Sequence, residues 1–172
     1  VLSDRYYWRQ FTTTTMYVII VVSAELLIGF ALAYLLNQKL KAKAVYVTML
    51  AIPMMMSPAL VGALWKLIYN PNWGILNWAL GLGKLDWIGN PEVNIYGVMI
   101  VDIWMWTPFM MLLSVAGLSA IPEYLYEAAE IDRASGWYKF MYITLPLCSP
   151  LLMIAVLFRS VEAFKTFDIA MG

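Results

Sequence analysis

A long uncharged stretch decides the class of this protein: residues 45–65 read VYVTMLAIPMMMSPALVGALW, twenty-one residues without Asp, Glu, Lys or Arg. A helix needs about 20 apolar residues to cross a hydrocarbon core of about 30 Å. Pro53, Pro58 and Gly62 interrupt the stretch. Membrane helices tolerate such residues, because neighbouring helices satisfy the freed backbone groups. The stretch therefore predicts a membrane-spanning helix.

The composition of the whole chain points to the same class. Apolar residues make up 63% of the 172 residues and charged residues 13%, against about 45–50% and about 25% in soluble domains, and the mean hydropathy is +0.74. A soluble domain of this size could not bury so much apolar surface. Four apolar segments predict four spans, near residues 14–36, 45–69, 93–120 and 143–161. The sequence thus predicts an all-α, polytopic transmembrane bundle that forms one domain over residues 1–172.

Several classes of function are excluded by simple counts. Eleven basic residues balance eleven acidic ones, so there is no basic field for nucleic acid. Histidine is absent and Cys148 is the single cysteine, so we expect no metal site and no catalytic residues of the His-dependent kind. Gly83-Lys84 is followed by Leu85 and lacks the earlier glycine of a phosphate-binding loop. ATP hydrolysis, if the function needs it, must come from elsewhere.

The connections between the predicted spans differ in kind. Residues 37–44 carry three lysines, Lys39, Lys41 and Lys43, and their density favours the cytoplasmic side. Residues 70–92 are rich in Gly, Pro and Asn and contain Trp73, Trp78 and Trp87, a composition typical of turns and of an interfacial aromatic belt. Residues 121–142 are charged and helical in pattern.

The segment between the third and fourth spans, IPEYLYEAAEIDRASGWYKFMYITLPLCSP at residues 121–150, carries the most functional information. Pro122 and Glu123 suit the first turn of a helix. Ser135-Gly136 predicts a break, after which Ser135 can cap a second helix. The small side chains of Ala128 and Ala129 permit close approach of a partner. The segment therefore predicts a compact helix–turn–helix over residues 121–142 between two spans.

This segment resembles the cytoplasmic loop signature of inner-membrane permease subunits of ATP-binding cassette importers. That signature is Glu-Ala-Ala, three residues, Gly, nine residues, then Ile-x-Leu-Pro. Here Glu127-Ala128-Ala129 and the sequence ITLP at residues 143–146 match with the spacing kept, and Arg133 stands at the glycine position. The resemblance implies a cytoplasmic coupling helix-turn-helix that docks an ATPase through Glu127, Ala128, Ala129, Asp132, Arg133, Ala134, Ser135 and Gly136.

Other stretches are similar to the sugar-importing branch of the family. They are NPNWGILN at residues 70–77, Trp104 with Pro108-Phe109, and FKTFD at residues 164–168. The resemblance implies a bacterial or archaeal cytoplasmic (inner) membrane, membrane lipid around the spans, and no cofactor in this chain, since ATP and Mg are bound by the ATPase. It implies as partners a second permease subunit, two ATPase subunits and a periplasmic or lipid-anchored solute-binding protein. It also implies one further span before and one after this chain, so we expect a fragment of a longer protein.

Two acidic residues lie inside the predicted spans, Glu25 and Asp102. A charge in a span normally faces a cavity, a partner or the bundle interior. Asp102 lies close in sequence to Trp104 and Trp106, and acids beside aromatic rings suit sugar hydroxyls and pyranose faces. These four residues are our candidates for the substrate path; the alternative is that Asp102 pairs with a residue such as Arg159.

Three functions remain open at this stage. The first is a non-catalytic permease subunit of an ATP-driven importer, with a carbohydrate as the expected solute. The second is a secondary transporter driven by an ion gradient, which would use Glu25 and Asp102 as coupling carboxylates. The third is a structural subunit that only anchors a complex.

Overall fold

The computed structural model describes residues 5–38 and 41–171, with side chains for residues 8, 10–38 and 41–165; Lys39 of the lysine group lies outside this part of the chain. Within these ranges the backbone forms helices, turns and bends and no strand. The helices are α1 (Arg5–Leu36), α2 (Lys43–Met55), α3 (Pro58–Ile68), α4 (Ile75–Leu80), α5 (Asn94–Ser119), α6 (Glu123–Ile131), α7 (Gly136–Lys139) and α8 (Leu145–Met171), and a π-helical turn, Phe140–Thr144, joins α7 to α8. The all-α fold class predicted from the sequence is confirmed.

Three helical segments are long and apolar enough to cross a membrane: Gln10–Leu36, Asn94–Ser119 and Gly136–Lys165. The first two belong to α1 and α5, and the third runs continuously from α7 through the π-helical turn into α8. The helices α1, α5 and α8 pack against one another, with α1 against α5 as the largest contact. α1 and α5 run in the same direction, since Tyr17 contacts Asp102 near their beginnings and Leu36 and Leu118 share a buried cluster near their ends. These three helices form the core of the described chain.

The contact between α1 and α5 depends on a glycine. A Cβ atom built on Gly29 would lie 2.7 Å from Met110 Cβ and 2.8 Å from the Met111 backbone nitrogen, closer than real side chains approach. Small residues let helix backbones come together in a membrane, where association depends on van der Waals packing. Gly29 therefore sets the separation of the two helices at their crossing.

The stretch at residues 45–69 differs from the prediction of one span. It forms two helices, α2 and α3, whose axes are bent by 93° at a short break. Met56 and Ser57 are extended, with ψ of 147° and 144°. Ser57 precedes Pro58, and a residue before proline avoids the helical region. Ser57 Oγ then accepts a bond from the Leu60 N–H at 3.4 Å, and Pro58 is the first residue of α3. Ser-Pro is a helix-start signal, and hydropathy alone does not reveal it.

The connection between α3 and α5 has a small core of its own. The Tyr69 hydroxyl donates to the Gly97 carbonyl at 2.8 Å, and the Tyr69 and Trp87 rings stack with centroids 5.4 Å apart. Trp87 Nε1 donates to Asn77 Oδ1, and Asn77 Nδ2 donates to the Leu85 carbonyl, both at 2.8 Å. Trp87 is thus buried inside the connection, and its assignment to an interfacial aromatic belt was wrong. Trp73 and Trp78 are exposed.

We predict that Gly29→Leu in the full-length protein lowers the yield of folded protein and its melting temperature. Overpacking of a tight contact typically costs about 1–3 kcal/mol. Gly62→Leu is the matched control, because a Cβ atom on Gly62 of α3 meets nothing within 4 Å. The check is fluorescence-detected size-exclusion chromatography after heating; equal stability of the two variants would show that the α1–α5 crossing is not close-packed.

Candidate functional site

The charged segment between α5 and α8 forms a helix–turn–helix at the place the sequence indicates. α6 follows Pro122, whose backbone is extended, and carries Glu123 in its first turn, where a negative charge complements the helix dipole. α7 begins after Ser135, whose Oγ accepts from the Tyr138 N–H at 3.2 Å. The N-cap role predicted for Ser135 is therefore present in the structure.

The turn between these helices places Arg133 in the left-handed conformation, with φ of 55°. The Ala134 N–H donates to the Ala129 carbonyl at 2.9 Å, and the Arg133 N–H donates to the Glu130 carbonyl at 3.0 Å. These two bonds define a Schellman motif, whose left-handed residue is usually glycine. An L-residue in this conformation costs about 1–2 kcal/mol. The backbone geometry thus explains why a glycine is expected where this chain has Arg133.

Gly136 does not take over the role of the missing glycine. The glycines with positive φ in the described chain are Gly81 and Gly83, both in the connection before α5. Gly136 is instead the first residue of α7, and a Cβ atom there would meet nothing within 4 Å. The departure from the signature is therefore confined to position 133.

Side-chain contacts tie the helix–turn–helix to the long helices. The Tyr126 hydroxyl and Thr144 Oγ1 lie 2.8 Å apart and join α6 to the start of α8. Lys139 Nζ pairs with Glu130 Oε1 at 3.1 Å across the turn. The Phe140 ring contacts those of Phe30 and Tyr34 on α1, with centroids 6.1 and 5.9 Å apart. Movement of α6 would therefore be passed to both α8 and α1.

The residues predicted to dock an ATPase differ in their exposure. Ala129 is 8% exposed and packs inside the protein, whereas Ala128 and Glu127 are exposed. Asp132, Arg133, Ser135 and Gly136 are also exposed, and Ala134 is half-buried. A depression of about 530 Å³ on this side is lined by Leu125, Ala128, Ala129, Asp132, Ala134, Ser135, Tyr138 and Ile143. Sequence periodicity could not decide which alanine faces inward.

A second group of candidate residues meets in the middle of the bundle. Glu25, Asp102 and Arg159 are 0%, 6% and 1% exposed. Arg159 Nη2 lies 2.8 Å from Glu25 Oε1 and 2.7 Å from Asp102 Oδ2, and Arg159 Nε lies 2.8 Å from Glu25 Oε2. Both acids thus share one guanidinium. Asp102 pairs with Arg159, which is the alternative to a substrate-path role that the sequence left open. We call these three residues with Tyr17 the buried ion cluster.

Tyr17 completes this cluster and was not a candidate from the sequence. Its hydroxyl donates to Asp102 Oδ2 at 2.7 Å, so that α1 contributes two polar residues, Tyr17 and Glu25. A tyrosine eight residues from an acid carries no distinctive sequence signal. Glu25, Asp102 and Arg159 did carry a sequence signal, because a charged residue in an apolar span needs a partner of opposite charge.

The two candidate tryptophans lie against different neighbours. The Arg159 guanidinium carbon lies 5.1 Å from the centre of the Trp106 ring, a distance suited to a cation–π interaction. Trp104 packs edge-on against Trp65 of α3, with centroids 5.6 Å apart. The structure therefore joins Trp106 to the buried ion cluster and does not bring Trp104 to it. Among the described residues, no cluster of His, Cys, Asp or Glu is suited to a metal ion.

The fold and these two sites define a multi-pass membrane protein with a stiff external helix–turn–helix. Comparison with known families gives the particular group: the family of binding-protein-dependent transport system inner membrane components matches residues 25–171. The chain belongs to this family. The Glu-Ala-Ala segment lies within the matched region, and so do Glu25, Asp102 and Arg159 of the buried ion cluster, whereas Tyr17 precedes it.

Several relatives of the chain are named as permease proteins of transport systems. The chain is 40% identical over 172 residues to the trehalose/maltose transport system permease protein MalF of Thermococcus litoralis, covering 98% of this chain and 58% of the relative. It is 33% identical to the trehalose transport system permease protein SugA of Mycobacterium tuberculosis, covering 98% and 54%. It is 30% identical to the sn-glycerol-3-phosphate transport system permease protein UgpA of Yersinia pestis, covering 98% and 59%. The chain thus spans somewhat more than half the length of these relatives.

A solved structure supports the fold. The chain superposes on a bacterial ABC transporter involved in the import of the acidic polysaccharide alginate with a TM-score of 0.74 and 22% identity, covering 91% of this chain and 58% of that one. At this identity the likeness establishes the fold.

We predict that Arg159→Met in the full-length protein sharply reduces folded protein, because removal of one partner leaves buried charges unpaired at about 3–5 kcal/mol. Adding Glu25→Gln and Asp102→Asn should restore most of the loss. Lys165→Met is the control, since its pair with Glu162 is exposed and such pairs contribute about 0–1 kcal/mol. Thermal stability in detergent is the measurement; a triple variant no better than Arg159→Met would contradict the electrostatic explanation.

We predict that Arg133→Gly stabilises the turn after α6 by about 1 kcal/mol, because glycine adopts the left-handed conformation without steric penalty. Amide hydrogen exchange of α6 in the full-length protein should slow by several-fold. Gly136→Ala, at a position with ordinary φ and open space, should leave exchange unchanged or slightly slower. Faster exchange in Arg133→Gly would show that the arginine side chain holds the turn.

Proposed function

We propose that this chain forms part of a permease subunit of an ATP-binding cassette importer for a carbohydrate. Membership in the binding-protein-dependent transport family, together with relatives named for trehalose and maltose transport, supports the proposal. The observation that carries it is the external helix–turn–helix, which presents Glu127 and Ala128 to a partner while Tyr126 joins it to α8. This arrangement suits a segment that is moved by a partner protein and transmits that movement to the membrane-spanning helices.

The proposed partner of this segment is an ATPase subunit on the cytoplasmic side. Glu127, Ala128, Asp132, Arg133, Ser135 and Gly136 would form the docking face, and Ala129 and Ala134 would support it from within. Work done by nucleotide-driven closure of an ATPase dimer can reach the permease only through a stiff contact. The Tyr126–Thr144 bond and the Glu130–Lys139 pair supply stiffness between α6, the turn and α8.

The rest of the proposed assembly follows from the family. A second permease subunit would complete the translocation path, a second ATPase subunit would dock on it, and a periplasmic or lipid-anchored solute-binding protein would deliver the solute. ATP and Mg would be bound by the ATPase subunits, and this chain would be a non-catalytic subunit. The proposed location is a bacterial or archaeal cytoplasmic membrane.

Within the membrane, we assign Trp106 to the solute path and give the acids a supporting role. Trp106 is partly exposed and lies over Arg159. Glu25 and Asp102 pair with Arg159, so they would position the guanidinium that orients the Trp106 ring. Trp104 would act through its packing against Trp65.

An ion-gradient-driven transporter is the competing function. It would need carboxylates that are free to bind and release an ion, whereas Glu25 and Asp102 both pair with Arg159. Uptake in proteoliposomes separates the two functions: the proposed importer requires ATP, the ATPase and the binding protein, and is insensitive to ionophores. Uptake that survives without ATP and collapses with the ion gradient would overturn the proposal. A subunit that only anchors the complex would be indicated if transport survived loss of this chain.

We predict that Ala128→Trp in the complete transporter weakens docking of the ATPase by about 1–3 kcal/mol, because a large side chain overpacks a tight contact. Glu127→Lys should also weaken docking, because it reverses a charge on the same exposed face of α6. Solute-stimulated ATP hydrolysis and uptake should fall while the amount of permease in the membrane stays constant. Glu92→Lys, an exposed charge reversal at the other end of α5, is the matched control for Glu127→Lys.

Ala129→Trp provides a contrast within the same motif. Because Ala129 is buried, this variant should reduce the amount of folded permease itself. Full coupled activity of Ala128→Trp and Glu127→Lys would show that this face of α6 does not dock the ATPase.

A further inference from the structure

The connection between α3 and α5 carries a dense group of exposed apolar side chains. Trp73, Ile75 and Trp78 are 66%, 63% and 83% exposed, and all three line one depression on the surface of the connection. Leu80 and Leu82 extend the exposed apolar surface. We call these five residues the outer apolar patch, because the patch lies at the end of α5 opposite the helix–turn–helix.

The outer apolar patch is held in place by the structure beneath it. Asn77 lies on α4 between Ile75 and Trp78, and its side chain is bonded to Leu85 and to Trp87 of the internal core. Gly74, which precedes α4, could carry no Cβ atom, since one would lie 2.4 Å from the carbonyl oxygens of Ile68 and Asn70. The backbone that carries the exposed side chains of Trp73, Ile75 and Trp78 is therefore held in a fixed conformation.

The position of the patch along the membrane normal follows from the helices on either side. α3 ends at Ile68 and α5 begins at Asn94, so the connection starts and finishes at the end of apolar helices. The 26 residues of α5 extend about 39 Å at 1.5 Å per residue, which exceeds the hydrocarbon thickness of about 30 Å. α5 is thus longer than the hydrocarbon core is thick, which allows its first residues and the connection before them to lie at the level of the lipid headgroups.

The chemistry of the patch selects lipid over other occupants. Lys84, Asp86 and Glu92 are the charged residues of the connection, and none lies in the patch; Asp86 Oδ1 accepts from the N–H groups of Ile88 and Gly89. The Asn77 amide is engaged internally, which leaves few polar groups for a sugar. Tryptophan beside aliphatic residues is typical of the membrane interface, where an apolar ring and a polar N–H are both satisfied. Leu64 and Leu67 of α3, the helix before the connection, are exposed as well.

We propose that the outer apolar patch inserts into the headgroup region of the outer leaflet and fixes the depth of α3 and α5 in the bilayer. α4 then lies in the plane of the membrane as a short interfacial helix, with Trp73, Ile75 and Trp78 facing the acyl chains. The choice of the outer leaflet rests on the proposed cytoplasmic placement of the helix–turn–helix, whereas the contact with lipid does not depend on which solute is transported.

The test places a nitroxide label at Trp78→Cys, and separately at Ile75→Cys, in the complete transporter in lipid nanodiscs. Cys148 and other reactive thiols are replaced beforehand. Power-saturation electron paramagnetic resonance compares accessibility to oxygen, which partitions into lipid, with accessibility to a water-soluble nickel chelate. Lys84→Cys is the matched control, because it lies in the same connection, is exposed and is outside the patch. Correct assembly of each labelled variant is checked by gel filtration.

We expect the labels at positions 75 and 78 to be more accessible to oxygen than to the nickel chelate, and to lie about 5–10 Å into the boundary between headgroups and acyl chains. The label at position 84 should be more accessible to the nickel chelate. Greater access to the nickel chelate at 75 and 78 would overturn the proposal. So would protection from both reagents, which would mean that another part of the transporter covers the patch. Loss of lipid contact on adding the solute-binding protein would identify a protein-docking surface instead.

Discussion

One buried guanidinium holds the described structure together. Arg159 on α8 contacts carboxylates on α1 and α5, and Tyr17 adds a further bond to Asp102. Charges in a membrane interior are expensive, and they are tolerated when they face the bundle and pair with one another. Hydrophobic burial cannot select one arrangement of apolar helices in lipid, because the tails are as apolar as the side chains. The buried ion cluster therefore supplies the specificity that brings these three helices into one register.

The functional segment is built on the same helices. Phe140, in the π-helical turn before α8, packs against Phe30 and Tyr34 of α1, while Thr144 contacts Tyr126 of α6. Gly29 keeps α1 close to α5 at their crossing. The external helix–turn–helix is therefore attached to the helices that the buried ion cluster joins, and a push on α6 acts on a linked set of helices.

Hydropathy and capping signals predicted most of the fold, and the failures have physical causes. The long apolar segments and the N-cap at Ser135 were evident from composition and spacing. The bend at Ser57-Pro58 was missed because a helix-start signal lay inside a long run without charges, in which membrane helices tolerate proline. The burial of Trp87 depends on Tyr69 and Asn77, which are distant in sequence, so its aromatic character alone suggested the interface.

The candidate sites were predictable to different degrees. The Glu-Ala-Ala spacing located the helix–turn–helix, but which alanine faces inward depends on tertiary packing. Arg133 could be recognised as a departure, whereas its left-handed backbone required the structure. Glu25, Asp102 and Arg159 were visible as charges in apolar segments; that all three meet, with Tyr17, follows from how α1, α5 and α8 pack.

The pairing of Glu25 with Arg159 also has a consequence for biogenesis. The two residues are 134 positions apart in the chain, so at 5–20 residues per second about 7–27 s separate their synthesis. During this interval α1 must enter the membrane, or wait beside the insertion machinery, with an acid that has no counter-ion. An acidic residue at the centre of a span raises the insertion free energy by about 2.5–3.5 kcal/mol. The Gln10–Leu36 part of α1 carries this residue and has the highest hydropathy of the three candidate spans, and that surplus hydrophobicity allows it to insert before its partner exists.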